Sequence, residues 1–301
     1  MQCTHSSKYR KDGTFIGTLP PCGNCLSCKL NDRAVWASRL VCERKAHSNA
    51  QFLTLTYRDE DLPGSIPELK KSFQKFTDRY KKHYGQPRYF AALEFGTKYR
   101  RAHWHAIFFG STTSYETRRK NGHSIVVDPT IEDTWQYGST YVKDCNSSTQ
   151  AMNITNYIAA YLLKGLWHES DSDDLAKQEC SLQSRKPYIG KPLVNKLSEL
   201  CYSKKGSMRC AALGTVPDRI KFGNRYYRLY SRIRKDICNE TGIDYHPVPY
   251  NSGIVMDLDG HLILQEKPYG TQTKNQALCH ERKIKSKIRL NSRANKTTAT
   301  G

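Results

Sequence analysis

Apolar and polar residues alternate in four segments of the chain. The clearest is residues 51–57, Gln-Phe-Leu-Thr-Leu-Thr-Tyr, which is also rich in β-branched and aromatic side chains. Residues 88–94, 103–109 and 123–127 share these features. Alternation of this kind is typical of strands that bury one face. The pattern therefore predicts four strands.

A helical pattern separates the first two of these strands. Ser65 and Glu68 have the spacing of a capping box, Pro67 stands in the first turn, and Gly85 ends the pattern. The apolar residues between them recur every three or four positions and fall on one face, which we expect to be buried: Leu69, Phe73, Phe76, Tyr80 and Tyr84. Lysine and arginine occupy the remainder of the predicted helix.

Two further helices are predicted from the same spacing. One follows the cysteines at 22–28 and contains Leu30, Trp36 and Leu40; the other spans residues 153–164 and stops at Gly165. The order strand, helix, strand, strand, helix predicts an α+β fold, in which helices cover a sheet.

The charge of the chain indicates a polyanionic partner. Lysine and arginine outnumber aspartate and glutamate by 48 to 28, which gives a formal net charge of +20. Such a surplus favours nucleic acid through the release of counterions. Residues 219–235 combine seven basic residues with four aromatic ones, a composition that suits phosphate contacts and base stacking. The predicted DNA contacts are Arg219, Lys221, Arg225, Tyr226, Tyr227, Arg228 and Arg232. A basic amphipathic helix packed on the sheet is the alternative.

A pair of histidines two residues apart is the first candidate for chemistry. On a strand, residues two apart point the same way, so His103 and His105 present both imidazoles to one face. Glu94 ends the preceding predicted strand, and a short basic turn could bring it beside them. Two imidazoles and a carboxylate leave coordination positions open, which suits a catalytic divalent ion. A solvent-exposed carboxylate at the end of a strand is the alternative for Glu94.

The predicted helix over residues 153–164 carries the second candidate. Tyr157, Tyr161 and Lys164 fall within an arc of roughly 60° on this helix. A phenol is mostly protonated at neutral pH and attacks phosphorus only beside positive charge, which Lys164 and a metal would supply. Alternatively, the tyrosines are rim residues of an amphipathic helix.

Cysteine spacing suggests a further metal site. Cys22, Cys25 and Cys28 are spaced as ligands, and Cys3 is a possible fourth. Four thiolates would form a closed structural Zn²⁺ site, with free thiols as the alternative. Eleven cysteines, no secretory signal and no apolar run of membrane-spanning length favour a reducing cytoplasm and no membrane partner.

Five motifs resemble those of one family, the HUH endonucleases. The resemblance is closest to the replication initiators of gokushovirus-type microviruses, which are small phages with circular single-stranded DNA. It extends over roughly residues 20 to 190. The matching segments are the cysteine run 21–28, the first motif 52–57, the histidine motif 103–105, the tyrosine motif with Tyr157, Tyr161 and Lys164, and residues 184–190.

The resemblance implies both a fold and an activity. The fold would be an antiparallel sheet with flanking helices, the HUH or Rep-like palm. The activity would be rolling-circle initiation: nicking of a single-stranded or replicative-form origin through a 5′-phosphotyrosine, with Mg²⁺ or Mn²⁺, leaving a 3′-hydroxyl. A host helicase and a DNA polymerase would cooperate in the bacterial cytoplasm.

The expected organisation has four parts. Residues 1–48 form the N-terminal cysteine segment and helix, and residues 49–168 form the nuclease core. Residues 169–280 form a basic region that contacts DNA, and residues 281–301 form a disordered basic tail.

Two other functions fit parts of the sequence. A zinc-stabilised, non-enzymatic nucleic-acid-binding regulator explains the charge and the cysteines but leaves the histidines and tyrosines as coincidence. A metal-dependent hydrolase that activates water at His103 and His105 needs no tyrosine. Covalent attachment to a nicked oligonucleotide separates the three hypotheses.

Overall fold

The computed structural model describes most of the chain between residues 26 and 246 and short pieces outside it. The described residues are 7–9, 15–18, 26–96, 99–110, 115–120, 122–145, 180–222, 225–246, 254–257 and 262–264. The helix predicted over residues 153–164 lies outside them. The described residues of 34–247 and 254–264 form one compact unit. An antiparallel hairpin is formed by β1 (Ser7–Tyr9) and β2 (Phe15–Thr18).

The elements of the larger unit alternate between strands and helices. The strands are β3 (Ala50–Thr56), β4 (Arg88–Phe95), β5 (Ala102–Phe109), β6 (Glu116–Lys120), β7 (His123–Val127), β8 (Thr140–Asp144), β9 (Ser181–Gln183), β10 (Arg219–Phe222), β11 (Arg225–Arg228), β12 (Ile254–Asp257) and β13 (Leu262–Leu264). The helices are α1 (Leu26–Ala46), α2 (Ile66–Tyr84), α3 (Pro129–Trp135), α4 (Val194–Tyr202), α5 (Lys204–Leu213) and α6 (Ser231–Thr241), with a 3-10 turn at Lys191–Leu193.

A five-stranded antiparallel sheet is the centre of this unit. Its strand order is β8-β3-β5-β4-β9. The predicted α+β class, with an antiparallel sheet and flanking helices, is confirmed, and all four predicted strands are present within one residue of their expected ends. Strands β6 and β7 pair with each other as a hairpin.

One face of the sheet is covered by α2 and α3. Trp104, Ala106 and Phe108 point to this side from β5 and are fully buried, as the alternation along that strand predicts. They meet an aromatic row from the inner side of α2, namely Phe73, Phe76 and Tyr80. Burial of these large rings provides the main stabilisation on this face, because the hydrophobic contribution grows with the apolar area removed from water.

Helix α2 begins and ends where the sequence predicts, but the predicted capping box is absent. Ser65 is the N-cap, yet its side chain makes no capping hydrogen bond, and its backbone carbonyl accepts from Leu69 instead. Gly85 ends the helix with φ of 79°, a conformation that glycine adopts without strain. Contrary to expectation, Tyr84 stays exposed, and its ring packs on Tyr80 with centroids 4.8 Å apart.

The other face is only partly covered. Trp36 and Leu40 of α1 pack on Phe90 and Ile107, at the end of the sheet where β3 begins and β5 finishes. The opposite end of this face carries His103 and His105, which share its side of β5. The helix thus covers the apolar half of the face and leaves the polar half for the candidate site.

A second sheet lies in the region after residue 190. Its order is β11-β10-β12-β13, with β10 and β12 parallel. It shares a core with α1, α4, α5 and α6, centred on Val41, Val194, Ile220 and Ile233. The alternative of one amphipathic helix over residues 219–235 is therefore wrong: a two-stranded hairpin precedes α6. Among the described residues, no helix has the length and apolar character needed to cross a membrane.

Candidate metal centre

Strand pairing brings the candidate metal ligands together. In the β4–β5 ladder Glu94 lies directly opposite His103, and His105 lies opposite Ala92. On the other side of β5, Thr56 and Thr54 oppose the two histidines. Directly paired residues share a face of an antiparallel sheet, so the carboxylate, the imidazoles and the threonines lie side by side.

Three ligand atoms converge at this point. Glu94 Oε2 is 2.9 Å from His105 Nε2 and 3.2 Å from His103 Nε2. The two imidazole rings are nearly perpendicular, with centroids 4.8 Å apart. Glu94 and His105 are buried, at 4% and 6% exposure, while the His103 side chain is 19% exposed. The site is thus open at His103 and closed around the other two side chains.

Hydrogen bonds on the outer side of each ring determine its orientation. Nδ1 of His103 lies 3.2 Å from the carbonyl oxygen of Arg101, which can only accept, so Nδ1 carries a proton. Nδ1 of His105 lies 3.1 Å from Thr54 Oγ1. Both Nε2 atoms consequently face Glu94, and a neutral imidazole with its proton on Nδ1 offers the Nε2 lone pair as a ligand.

Burial keeps His105 neutral. Loss of solvent, and then the neighbouring His103 imidazole, lowers the pKa of His105 from 6.5 to about 3. The ring also stacks on Phe52, with centroids 5.5 Å apart and planes 12° apart. A metal ligand must be an unprotonated imidazole, so this environment favours the form that binds a cation near pH 7.

The donor set fits a divalent cation. The ligand atoms of Glu94, His103 and His105 all lie within 4.8 Å of one another. Two Nε2 lone pairs and a carboxylate oxygen directed at one point repel one another unless a proton or cation lies between them. Two nitrogen ligands and one carboxylate leave further coordination positions for a substrate oxygen. The expected solvent-exposed alternative for Glu94 does not hold, because its side chain is buried.

Two further groups at the site, Thr54 and the Arg101 backbone, had no predicted role. Thr54 belongs to the alternating segment 51–57, and antiparallel pairing of that strand with 103–109 places a threonine next to a histidine. Arg101 holds the turn before β5, because its side chain binds Asp59 and the carbonyl oxygen of Tyr57. Pairing register, which alternation alone does not determine, was the missing information.

The other predicted site residues are placed only in part. Tyr157, Tyr161 and Lys164 lie outside the described residues, as do Cys3, Cys22 and Cys25. Cys28 is a buried residue of α1. The structure therefore describes one of the four predicted zinc ligands and none of the tyrosine motif.

The predicted DNA-contact residues lie on the β10–β11 hairpin and on α6. Arg219 pairs with Arg228 across the hairpin, and Asp218 lies between them, 3.8 and 3.9 Å from their Nε atoms. The side chain of Arg228 is 59% exposed. Lys221 pairs with Tyr226, and Phe222 with Arg225. Arg232 is exposed on α6, with its guanidinium 5.0 Å from the centre of the Tyr188 ring.

Tyr227 departs from the expectation. It is 6% exposed and belongs to the core beneath the second sheet. Its ring is therefore unable to stack on a base without leaving that core, and the DNA contact expected of Tyr227 is corrected to a packing role.

Comparisons with known proteins agree with the site. Residues 50–166 match the family model of the replication-associated protein ORF2. The chain is 27% identical over 197 residues to the replication-associated protein VP4 of Bdellovibrio phage phiMH2K, an alignment that covers 61% of this chain and 60% of the relative. It is 30% identical over 167 residues to the replication-associated protein ORF2 of Spiroplasma virus 4, covering 50% of each.

A third relative extends the same pattern. The replication-associated protein ORF4 of Chlamydia phage 1 is 37% identical over 181 residues, covering 54% of this chain and 43% of the relative. The chain thus spans about half the length of the curated relatives it matches. No solved structure matches it. The resemblance to replication initiators of the microvirus type, stated above from the motifs, is confirmed.

Proposed function

We propose that this protein initiates rolling-circle DNA replication by nicking single-stranded DNA at its origin, with a tyrosine as nucleophile and Mg²⁺ or Mn²⁺ as cofactor. The observation that carries the proposal is the convergence of Glu94, His103 and His105, with both Nε2 atoms facing one carboxylate oxygen. The similarity to phage replication-associated proteins over the same region supports the choice of substrate.

The metal centre and the tyrosine motif would divide the chemistry. A divalent ion held by the three ligands would polarise the scissile phosphate and stabilise the charge that develops on it. The Tyr161 oxygen would form a bond to phosphorus while the bond to the 3′ oxygen breaks, and that oxygen would take up a proton. The products are a 5′-phosphotyrosine and a free 3′-hydroxyl. Lys164, one helical turn from Tyr161, would favour the phenolate.

A second tyrosine would complete the replication cycle. Opening the origin and closing the finished circle are two strand transfers, and the first leaves one tyrosine occupied. At a spacing of four residues in a helix, Tyr157 and Tyr161 would lie about 6 Å apart at Cβ, so either could reach the same phosphate. We assign the initial attack to Tyr161 and the second to Tyr157.

The remaining expectations follow from this role. The partners would be the origin in its single-stranded and replicative circular forms, and a host helicase and polymerase that extend the 3′-hydroxyl, all in the host cytoplasm. Residues 49–168 would form the nuclease, and residues 169–280 would add DNA contacts. A zinc ion on Cys3, Cys22, Cys25 and Cys28 would have a structural role only.

The test is covalent attachment to DNA. The protein is incubated with Mn²⁺ and single-stranded oligonucleotides that together cover its replicon, and adducts are resolved by denaturing electrophoresis. We expect the wild-type chain to form an adduct, Y161F to lose most of the first-round adduct, and Y157F to retain it but fail to release circles in a coupled replication assay. Y202F, which alters an exposed tyrosine on α4, is the matched control. An adduct with the Y157F/Y161F double variant would place the nucleophile elsewhere.

A further inference from the structure

The outer face of α2 is a second basic surface. Six of the 19 residues of this helix are lysine or arginine, and two are acidic. Arg79 is engaged, because it donates to the backbone oxygens of Thr134 and Trp135. Four lysines are exposed, and in the described part of the chain no ion pair includes any of them: Lys71, Lys75, Lys81 and Lys82.

Three of these lysines form a straight stripe. At about 100° per residue, Lys71, Lys75 and Lys82 fall within about 40° of one another around the helix axis. The stripe is about 16 Å long at about 1.5 Å per residue. A DNA duplex carries one charge per about 1.7 Å of its axis, so the stripe can face several phosphates at once. Asp78 lies about 20° outside this arc and weakens the field of the lysines.

The stripe and the metal centre lie on opposite sides of the sheet. The inner residues of α2 pack against the buried face that carries Trp104 and Phe108. His103 and His105 point to the other face. Because a helix with its side chains is about 10–12 Å across, the lysines of α2 cannot reach a phosphate held at the metal centre.

The composition of this surface indicates which form of DNA it suits. Proteins that bind single strands combine basic residues with exposed aromatic rings on which bases stack. In α2 the rings of Phe73, Phe76 and Tyr80 are buried in the core, and its exposed stripe offers only ammonium groups. Contacts of this kind recognise the phosphate backbone and need no unpaired base.

We propose that the α2 lysine stripe, Lys71, Lys75 and Lys82, binds the phosphate backbone of duplex DNA. The inference rests on the proposed function, since it takes DNA as the substrate. In the origin, the stripe would hold duplex next to the nick site while the single strand occupies the metal centre on the other face. Two separate surfaces allow the strand to be cut and transferred without release of the flanking duplex.

The test measures binding of a labelled duplex of arbitrary sequence, about two helical turns long, by fluorescence anisotropy without metal over a series of salt concentrations. In K71Q/K75Q/K82Q we expect the slope of log K against log salt to fall by about 2–3, since each phosphate contact contributes about 0.9. We expect affinity at low salt to drop at least about tenfold. In D78N, which removes the opposing carboxylate beside the stripe, we expect tighter binding.

The matched control removes the same charge elsewhere. K196Q/K204Q/K205Q changes three exposed lysines of α4 and α5 and should alter the slope by less than one. An equal loss in this control, or an unchanged slope in the stripe variant, overturns the proposal. Nicking of a short single-stranded oligonucleotide by the stripe variant should equal that of wild type. If the wild-type protein binds duplex through the stripe but nicks nothing, the proposed function fails while this inference stands.

Discussion

At the scale of single residues, the metal centre depends on side chains that orient its ligands as well as on the ligands themselves. Thr54 stands between two strands, opposite His105 in β5 and opposite Tyr141 in β8. With Nε2 of His105 facing Glu94, Nδ1 carries the proton and donates it to Thr54 Oγ1. Outer hydrogen bonds of this kind fix the tautomer and typically affect metal affinity about 10–100-fold.

Replacing Thr54 by valine keeps the shape and removes the acceptor. We expect T54V to bind Mn²⁺ at least about tenfold more weakly than wild type, measured by electron paramagnetic resonance of the free ion. T54S retains the hydroxyl and should restore most of the affinity. A thermal melt reports on folding separately. If T54V and wild type bind Mn²⁺ equally, Thr54 has only a packing role.

A buried carboxylate on α1 ties three parts of the chain together. Glu43 is fully buried and accepts hydrogen bonds from Arg88 Nε at 2.9 Å, His47 Nε2 at 3.0 Å and the Gly190 backbone N–H at 2.6 Å. Burial by itself raises the pKa of Glu43, but the bonds from His47, Gly190 and Arg88 outweigh it and lower the pKa below its ordinary 4.5. The folded state therefore favours the charged form more than the unfolded state does.

The sign of this shift defines a pH-dependent stability. A depressed pKa contributes stability above pH 4.5, and the contribution is lost as the pH falls through the folded-state value. We expect E43Q to be destabilised by about 3 kcal/mol at neutral pH, because Arg88 loses its buried partner. The difference from wild type should narrow as the pH falls below 4.5, measured by urea unfolding. E199Q, at an exposed position on α4, is the control. A difference that stays constant with pH would show that Glu43 is not the titrating group.

At the scale of elements, the outcome of prediction depended on the length of the periodic segment. The strand over 51–57 and the helix over 65–84 were predicted well because each has several periods of alternation or helical spacing and a clear end. The hairpin of β10 and β11 was missed because its strands have four residues each. Its sequence signal was the Gly223-Asn224 pair between two β-forming runs, which is typical of a two-residue hairpin loop.

The junction between β3 and β8 illustrates a constraint that periodicity does not reveal. A Cβ added at Gly138 would lie 2.2 Å from the carbonyl oxygen of Thr56 and 2.9 Å from the nitrogen of Arg58, and both are backbone atoms. Hydrogen bonds hold Thr56 in this position. Its N–H and Oγ1 donate to the carbonyl oxygen of Ser139 at 2.9 and 3.0 Å, and its own carbonyl oxygen accepts from Trp135 Nε1 at 2.8 Å. Only glycine allows this approach.

The alanine variant of Gly138 tests the constraint. We expect G138A to lower the free energy of unfolding by about 1–3 kcal/mol, since backbone atoms must shift to admit the methyl group. G64A is the control, because its added Cβ meets nothing closer than 4.0 Å. Both are measured by urea unfolding monitored by tryptophan fluorescence. Equal stability of the two variants would mean that the strand junction adjusts without cost.

At the scale of the whole molecule, local sequence predicted the ligands better than the surroundings. Glu94 and the histidines lie on consecutive strands joined by a short turn, so their proximity follows from the chain order. The parallel pairing of β10 with β12 joins residues that are distant in the chain, and the packing of α1 on two cores at once depends on segments far along the sequence. Neither leaves a pattern in the neighbouring sequence. The burial of Tyr227 followed from the same long-range packing.

The proposed division of the molecule into a cutting site and binding surfaces leads to a final prediction. We expect H103A/H105A to reduce nicking by about two orders of magnitude or more, because it removes both imidazoles that would hold the metal. Its affinity for single-stranded DNA should stay within about threefold of wild type, since binding comes from distributed lysine and arginine. R228Q/R232Q should do the opposite: each lost phosphate contact lowers the salt slope by about 0.7 on single strands, while Mn²⁺ affinity is unchanged. Nicking by H103A/H105A at the wild-type rate would refute the metal assignment. An unchanged salt slope in R228Q/R232Q would show that the hairpin and α6 serve packing alone.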